Sequence, residues 1–85
     1  MKIKVRAVKK ERETVKINTE FIRLDALLKY VSAASTGGEA KVYITEGGVK
    51  LNGEVCTMRG KKVSPGDVVT FRGREYAVAA ENQDL

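Results

Sequence analysis

From Lys2 to Val8 the chain alternates without a break. Ile3, Val5 and Ala7 fall on one side and Lys2, Lys4 and Arg6 on the other, the period of a strand with one buried face. The charged run KKERE at 9–13 predicts a turn or ragged loop, and Val15-Lys16-Ile17 resumes the alternation, so residues 2–17 are expected to form a hairpin. The period then changes. Leu24, Leu27, Leu28 and Val31 recur at i, i+3, i+4 and i+7, one apolar stripe of an amphipathic helix, with Asn18 or Thr19 available to cap it. Asp25 and Glu20 near its start and Lys29 further along suit the helix dipole.

The stretch STGGEAK at 35–41 opens a second helix in spite of its glycines, which are poor helix formers. Thr36 and Glu39 stand at the spacing of a capping box, which makes Gly37 and Gly38 the first two helical residues. Ala40, Tyr43 and Ile44 then face inward, Lys41 and Thr45 face outward, and Gly47-Gly48 ends the helix. From Val49 the period is two. Val49–Leu51 and Glu54–Met58 flank Asn52-Gly53, a strong hairpin signal. Ser64-Pro65-Gly66-Asp67 is a tight turn, Val68–Phe71 a strand, Arg72-Gly73-Arg74 a turn and Tyr76–Ala79 a last strand. The pattern is therefore α+β: two short helices, then a run of short strands.

An 85-residue chain makes one domain, burying only about 60–65% of the surface its unfolded form exposes. Cys56 is the sole cysteine and histidine is absent, which points to a reducing, cytoplasmic setting, excludes a disulfide and leaves no zinc or iron–sulfur ligand set. Cys56 itself reads as a packing residue. No unbroken apolar run marks a membrane span. With no histidine, no cysteine–base pair and no clustered carboxylates, catalytic machinery is not visible, and STGGEAK does not fit a phosphate-binding Walker loop.

Charge adds a partner. Sixteen Lys and Arg against eleven Asp and Glu leave +5. The excess is concentrated: residues 1–16 hold seven basic and two acidic side chains, and residues 59–74 hold five basic and one acidic. Two such blocks meeting on one face form the footprint of a polyanion; the other reading is a merely well-solvated surface. The amides of Ser35, Thr36, Gly37 and Gly38 offer a helix N-terminus to phosphate, with Lys41 a turn further on. The competing reading is that the two glycines only let the chain bend between packed helices. Lys50 and Asn52 face outward on a hairpin strand, and Arg59, Lys61 and Lys62 follow in a loop where long cations are free to track a phosphate backbone. Aromatic platforms are few: Phe21, Tyr43, Phe71 and Tyr76 read as core or rim, and Tyr30 alone as exposed. Phosphate and shape recognition is thus favoured over base stacking.

Arg23-Leu24-Asp25, with Leu28, Ala40, Ile44, Gly48, Val49, Leu51, Asn52-Gly53, Val63, Gly66-Asp67 and Val69, resembles the S4 RNA-binding domain in order and spacing. This is the alpha-L motif of ribosomal proteins, pseudouridine synthases and some tRNA synthetases, and the likeness spans residues 21–71. Ser35–Lys41 and Asn52–Asp67 are similar to the small stand-alone bacterial members of the YaaA and YbcJ type. The resemblance implies two short helices packed on a small, mostly antiparallel sheet. Residues 1–17 would be a basic strand or hairpin extension, 72–80 a C-terminal strand and 81–85 a loose tail. It implies a non-catalytic, monomeric module without cofactor, gripping structured ribosomal or transfer RNA and associating with ribosomal particles.

The resemblance also puts Arg23 on the RNA side, where the alternative is a surface pairing with Asp25 or Glu20, and Lys29 joins the same candidate set. One departure stands out. Many family members begin the second helix with Ser-Arg, the arginine touching RNA, whereas this chain has Ser35-Thr36-Gly37-Gly38. The rival function is a protein-interaction adaptor whose basic face docks on an acidic ribosomal or replication partner.

Overall fold

The computed structural model describes residues 11–81. The elements are β1 (Glu11–Ile17), β2 (Ile22–Arg23), α1 (Leu24–Tyr30), α2 (Gly37–Thr45), β3 (Val49–Leu51), β4 (Glu54–Val55), β5 (Lys62–Val63), β6 (Val68–Phe71) and β7 (Arg74–Ala80). Five strands form one sheet in the order β1-β7-β6-β3-β4, and β2 pairs with β5 in a separate two-stranded ladder. Every pairing is antiparallel except β1 with β7. The α+β class, two helices with a mostly antiparallel sheet, is as the sequence predicts.

The apolar periods decide what is buried. Leu24, Leu27 and Leu28 of α1 and Ala40 and Ile44 of α2 are fully enclosed, in one cluster with Val49, Val63, Val69, Phe71, Tyr76 and Val78. Val31 and Tyr43 pack at the margin, as does Cys56, the expected packing residue. Gly47, at φ +84°, closes α2 with its amide on the Ile44 carbonyl at 3.0 Å. After α1, Ser32 takes a left-handed φ of 63° and the Ala33 and Ala34 amides both return to the Leu28 carbonyl.

Three expectations need correction. Residues 11–13 belong to β1 and not to a loop, because β1 pairs in parallel with β7 along its whole length, Val15 against Val78. Val15 and Ile17 thereby reach the core, and Arg12 crosses to Glu75 at 2.9 Å. The expected strand and hairpin at 2–8 lie outside the described residues, as do residues 82–85 of the expected tail. Second, β4 ends at Val55, three residues early: the Cys56 amide still bonds the Val49 carbonyl at 3.0 Å, after which the chain leaves the sheet. Third, α1 is capped by neither Asn18 nor Thr19. Its N-cap is Arg23, with no capping side chain. Its first amides go to a distant loop instead, Leu24 N–H to the Lys61 carbonyl at 2.9 Å and Asp25 N–H to the Arg59 carbonyl at 3.1 Å.

Asn52 and Gly53 both have positive φ, 53° and 89°, the conformation a two-residue hairpin turn requires. The Asn52 amide also bridges to the next turn, Nδ2 donating to Asp67 Oδ1 at 3.1 Å and Oδ1 accepting the Val68 N–H at 2.9 Å. The β3–β4 turn is therefore fastened to the start of β6. Asn52→Ala removes both bonds and leaves a left-handed alanine. It is expected to cost about 2 kcal/mol, seen as a lower urea midpoint with an unchanged slope.

Candidate nucleic-acid interface

The mouth of α2 is built from its own cap. Thr36 Oγ1 accepts the Glu39 N–H at 3.0 Å, and the Glu39 carboxylate turns back to accept the Ser35 N–H at 2.6 Å. Glu39 is thus engaged within the cap. The Gly37 and Gly38 amides head the helix, where no intrahelical acceptor exists. The fold itself does not demand these glycines. Neither has a positive φ, and a Cβ would meet Arg59 Nη2 at 3.6 Å from Gly37 and Thr36 Oγ1 at 3.9 Å from Gly38, both ordinary contacts. A tight bend therefore does not require glycine at either position.

That Arg59 contact connects the helix mouth to a second feature. Arg59 Nε donates to Asp25 Oδ2 at 2.8 Å and Arg23 Nη2 to the same oxygen at 3.2 Å. Asp25 is 6% exposed, while the two arginine side chains are 54% (Arg23) and 39% (Arg59) exposed. Burial pushes the Asp25 carboxyl up. The Arg59 hydrogen bond, the Arg23 charge and the Ala26 amide pull it down further, and the net result lies below the ordinary 3.8. One ionised, buried carboxylate thus holds two guanidiniums at the surface. Arg59 presents Nη2 toward Gly37, and Arg23 lies along Gly60, 3.6 Å from where a Cβ would stand there.

The lysines extend this ground. Lys62 is opposite Arg23 in the β2–β5 ladder, and its Nζ stands 4.8 Å over the half-exposed Phe21 ring. Lys61 adjoins it through the Leu24–Lys61 backbone bond. Lys41 is exposed one turn above Gly37 on the same side of α2. Arg23, Ser35, Thr36, Gly37, Gly38, Lys41, Arg59, Lys61 and Lys62 are thereby linked along one tract. Three other candidates are placed differently, although Asn52 shares an open groove with Lys61 and Lys62. Lys29 is exposed in the last turn of α1. Lys50 projects from the face of β3 opposite to Val49 and the core. Asn52 has its side-chain amide occupied in the turn clasp.

Two details differ from expectation. Arg59 and Lys62 do not move freely in a loop, since the first is anchored on Asp25 and the second lies in β5. The two basic blocks meet only in part among the described residues: Arg74 of the second stands beside Arg12 of the first where β7 pairs with β1, whereas Lys62 lies in the separate β2–β5 ladder. Arg12 and Lys16 lie on β1, at the opposite edge of the sheet order from β4, because β1 pairs with β7. The sequence reading missed the organising role of Asp25, although its place beside the Leu24–Leu28 stripe was a signal that it is buried. No periodic signal marked Phe21 as a seat for Lys62.

No helix is long and apolar enough to cross a membrane, and no group of three potential metal ligands occurs among the described residues.

A family model described as S4 domain matches residues 15–79. The "Probable ribosome maturation protein RlbA" of Bacillus subtilis is 39% identical over 59 residues, 69% of this chain and 83% of that protein. A ribosomal protein of Novosphingobium aromaticivorans, small-subunit uS4, is 34% identical over 65 residues, 74% of this chain but 32% of that protein. Among solved structures, YbcJ from Escherichia coli, described as revealing an alpha-L motif involved in RNA binding, superposes with a TM-score of 0.57 at 29% identity, covering 94% of this chain and all of that one.

Because the folded Asp25 carboxyl titrates below its ordinary value, its stabilisation is complete above about pH 3.8 and is lost as pH falls through the folded value. Asp25→Asn is expected to lower stability at neutral pH by about 2 kcal/mol. It should also flatten the loss of stability in acid, both read from urea unfolding across pH.

Proposed function

The chain belongs to the S4 domain family of RNA-binding modules, and on that footing we propose that it is a non-catalytic grip for structured RNA, acting on phosphates. The observation that carries this reading is the pair of guanidiniums fixed on buried Asp25 beside the glycine-lined mouth of α2. A phosphate seated there meets two backbone N–H groups, the positive end of a helix dipole and bidentate arginine donors. Arg59 arrives from across the fold and brings a guanidinium to the mouth of α2. Lys41, Lys61 and Lys62 lengthen the track on either side. Ribosomal RNA is the favoured target, by the name of the Bacillus relative and the likeness to a ribosomal protein; transfer RNA is the second.

Arg23, Lys41, Arg59, Lys61 and Lys62 make five cations on this tract. If about five phosphates are engaged, a fourfold rise in salt is expected to weaken RNA binding by roughly 10²–10³. Titration of a ribosomal RNA fragment at several salt concentrations measures the slope, and an affinity flat in salt removes the electrostatic basis. Lys61→Glu with Lys62→Glu is expected to abolish binding with the fold retained.

The glycines give a test of opposite signs. Gly38→Ala is expected to stabilise the protein by about 0.5 kcal/mol through helix propensity. The same substitution is expected to weaken RNA binding, since a methyl group enters the space above the amides. Unfolding and binding measured on the same variant separate docking from packing.

A further inference from the structure

Beyond the phosphate tract lies an open groove of about 520 Å³ where the chain leaves β4 and returns to β5. Its walls are mixed, with Val55, Cys56 and Met58 beside polar Asn52 and Thr57, and Lys61 and Lys62 border it. Val55 is 55% and Met58 64% exposed, the latter the most exposed large apolar side chain among the described residues. Glu54 and Asp67 also line the groove. A phosphate is therefore poorly received inside it, while the adjacent lysines receive one well. A flat, uncharged group with polar edges, tethered to a phosphate, fits this mixture of apolar and polar walls.

We propose that the groove holds one unstacked nucleobase of the bound RNA, against Met58 and Val55, with the flanking phosphates on Lys61 and Lys62. The proposal rests on the RNA-binding reading above and adds a place where the strand is held by something other than its charge. The volume lies in the range of sites for small planar ligands. A thioether is polarisable and packs favourably on an aromatic ring, and single-stranded loops are where RNA offers bases free to leave the stack. The groove thus supplies a contact that the scarcity of aromatic platforms in this sequence had argued against.

The test uses the full chain and two probes: an RNA hairpin with 2-aminopurine in its unpaired loop, and a fully paired RNA duplex of equal length. Met58→Ala and Val55→Thr change exposed side chains, and Val55→Thr keeps the β-branched shape suited to a strand. Met58→Ala is expected to weaken hairpin binding about tenfold, to abolish the 2-aminopurine fluorescence change, and to leave the salt slope unaltered because no counterion is involved. Val55→Thr is expected to act in the same direction. Unchanged hairpin affinity in Met58→Ala leaves the groove to some other occupant, such as a protein side chain, and overturns the proposal. An equal loss on the paired duplex also overturns it, since no unstacked base is present there. If Lys61→Glu with Lys62→Glu abolishes binding while Met58→Ala does nothing, the groove proposal falls and the phosphate reading stands. If neither has an effect, both fall.

Discussion

A carboxylate enclosed at the start of α1 is the constraint on which the proposed RNA-binding face depends. Removing Asp25 from water is unfavourable unless its charge is answered, and it is answered by two arginines whose outer nitrogens remain in solvent. Surface arginines ordinarily sample many rotamers, and gripping a ligand then requires ordering them. Here the ordering is done by folding. The same charge that would repel RNA is buried, while the cations it fixes stay exposed. An acidic residue inside a basic site is thus a means of arranging it, not a defect in it.

The backbone repeats this arrangement. The first amides of α1 bond to the carbonyls of Lys61 and Arg59, so the segment carrying the cations also caps the helix carrying the carboxylate. This explains why the helix start was misplaced from sequence. Cap signals are local, and Asn18 and Thr19 are suitable residues at a plausible distance; the actual acceptors come from residues 37 and 34 positions away. The two-residue ladder of β2 with β5 was invisible for a related reason: a pair of residues has no period.

What the sequence did display was whatever repeats or turns within a few residues. The Leu24–Val31 stripe, the Thr36–Glu39 box and the Asn52-Gly53 and Ser64–Asp67 turns all rest on short-range geometry, and each stands in the structure. At the site, composition pointed to the residues but not to their employment. Gly37, Gly38 and Lys41 could be singled out because a glycine pair at a helix start is unusual. Arg59 and Asn52 looked equally exposed in the sequence, yet one is held by a carboxylate and the other clasps two turns. That distinction depends on partners 34 and 15 residues away, which no local pattern encodes.

The parallel union of β1 with β7 has a temporal side. Arg12 and Glu75 lie 63 positions apart in the chain. A polypeptide emerging from its N-terminal side therefore exposes Val15 and Ile17 long before Val78 has been made. Until then β1 lacks its β7 partner and presents that edge unsatisfied. Closure of this pair waits for β7 to be made, and the helices with their cationic surface are synthesised before it.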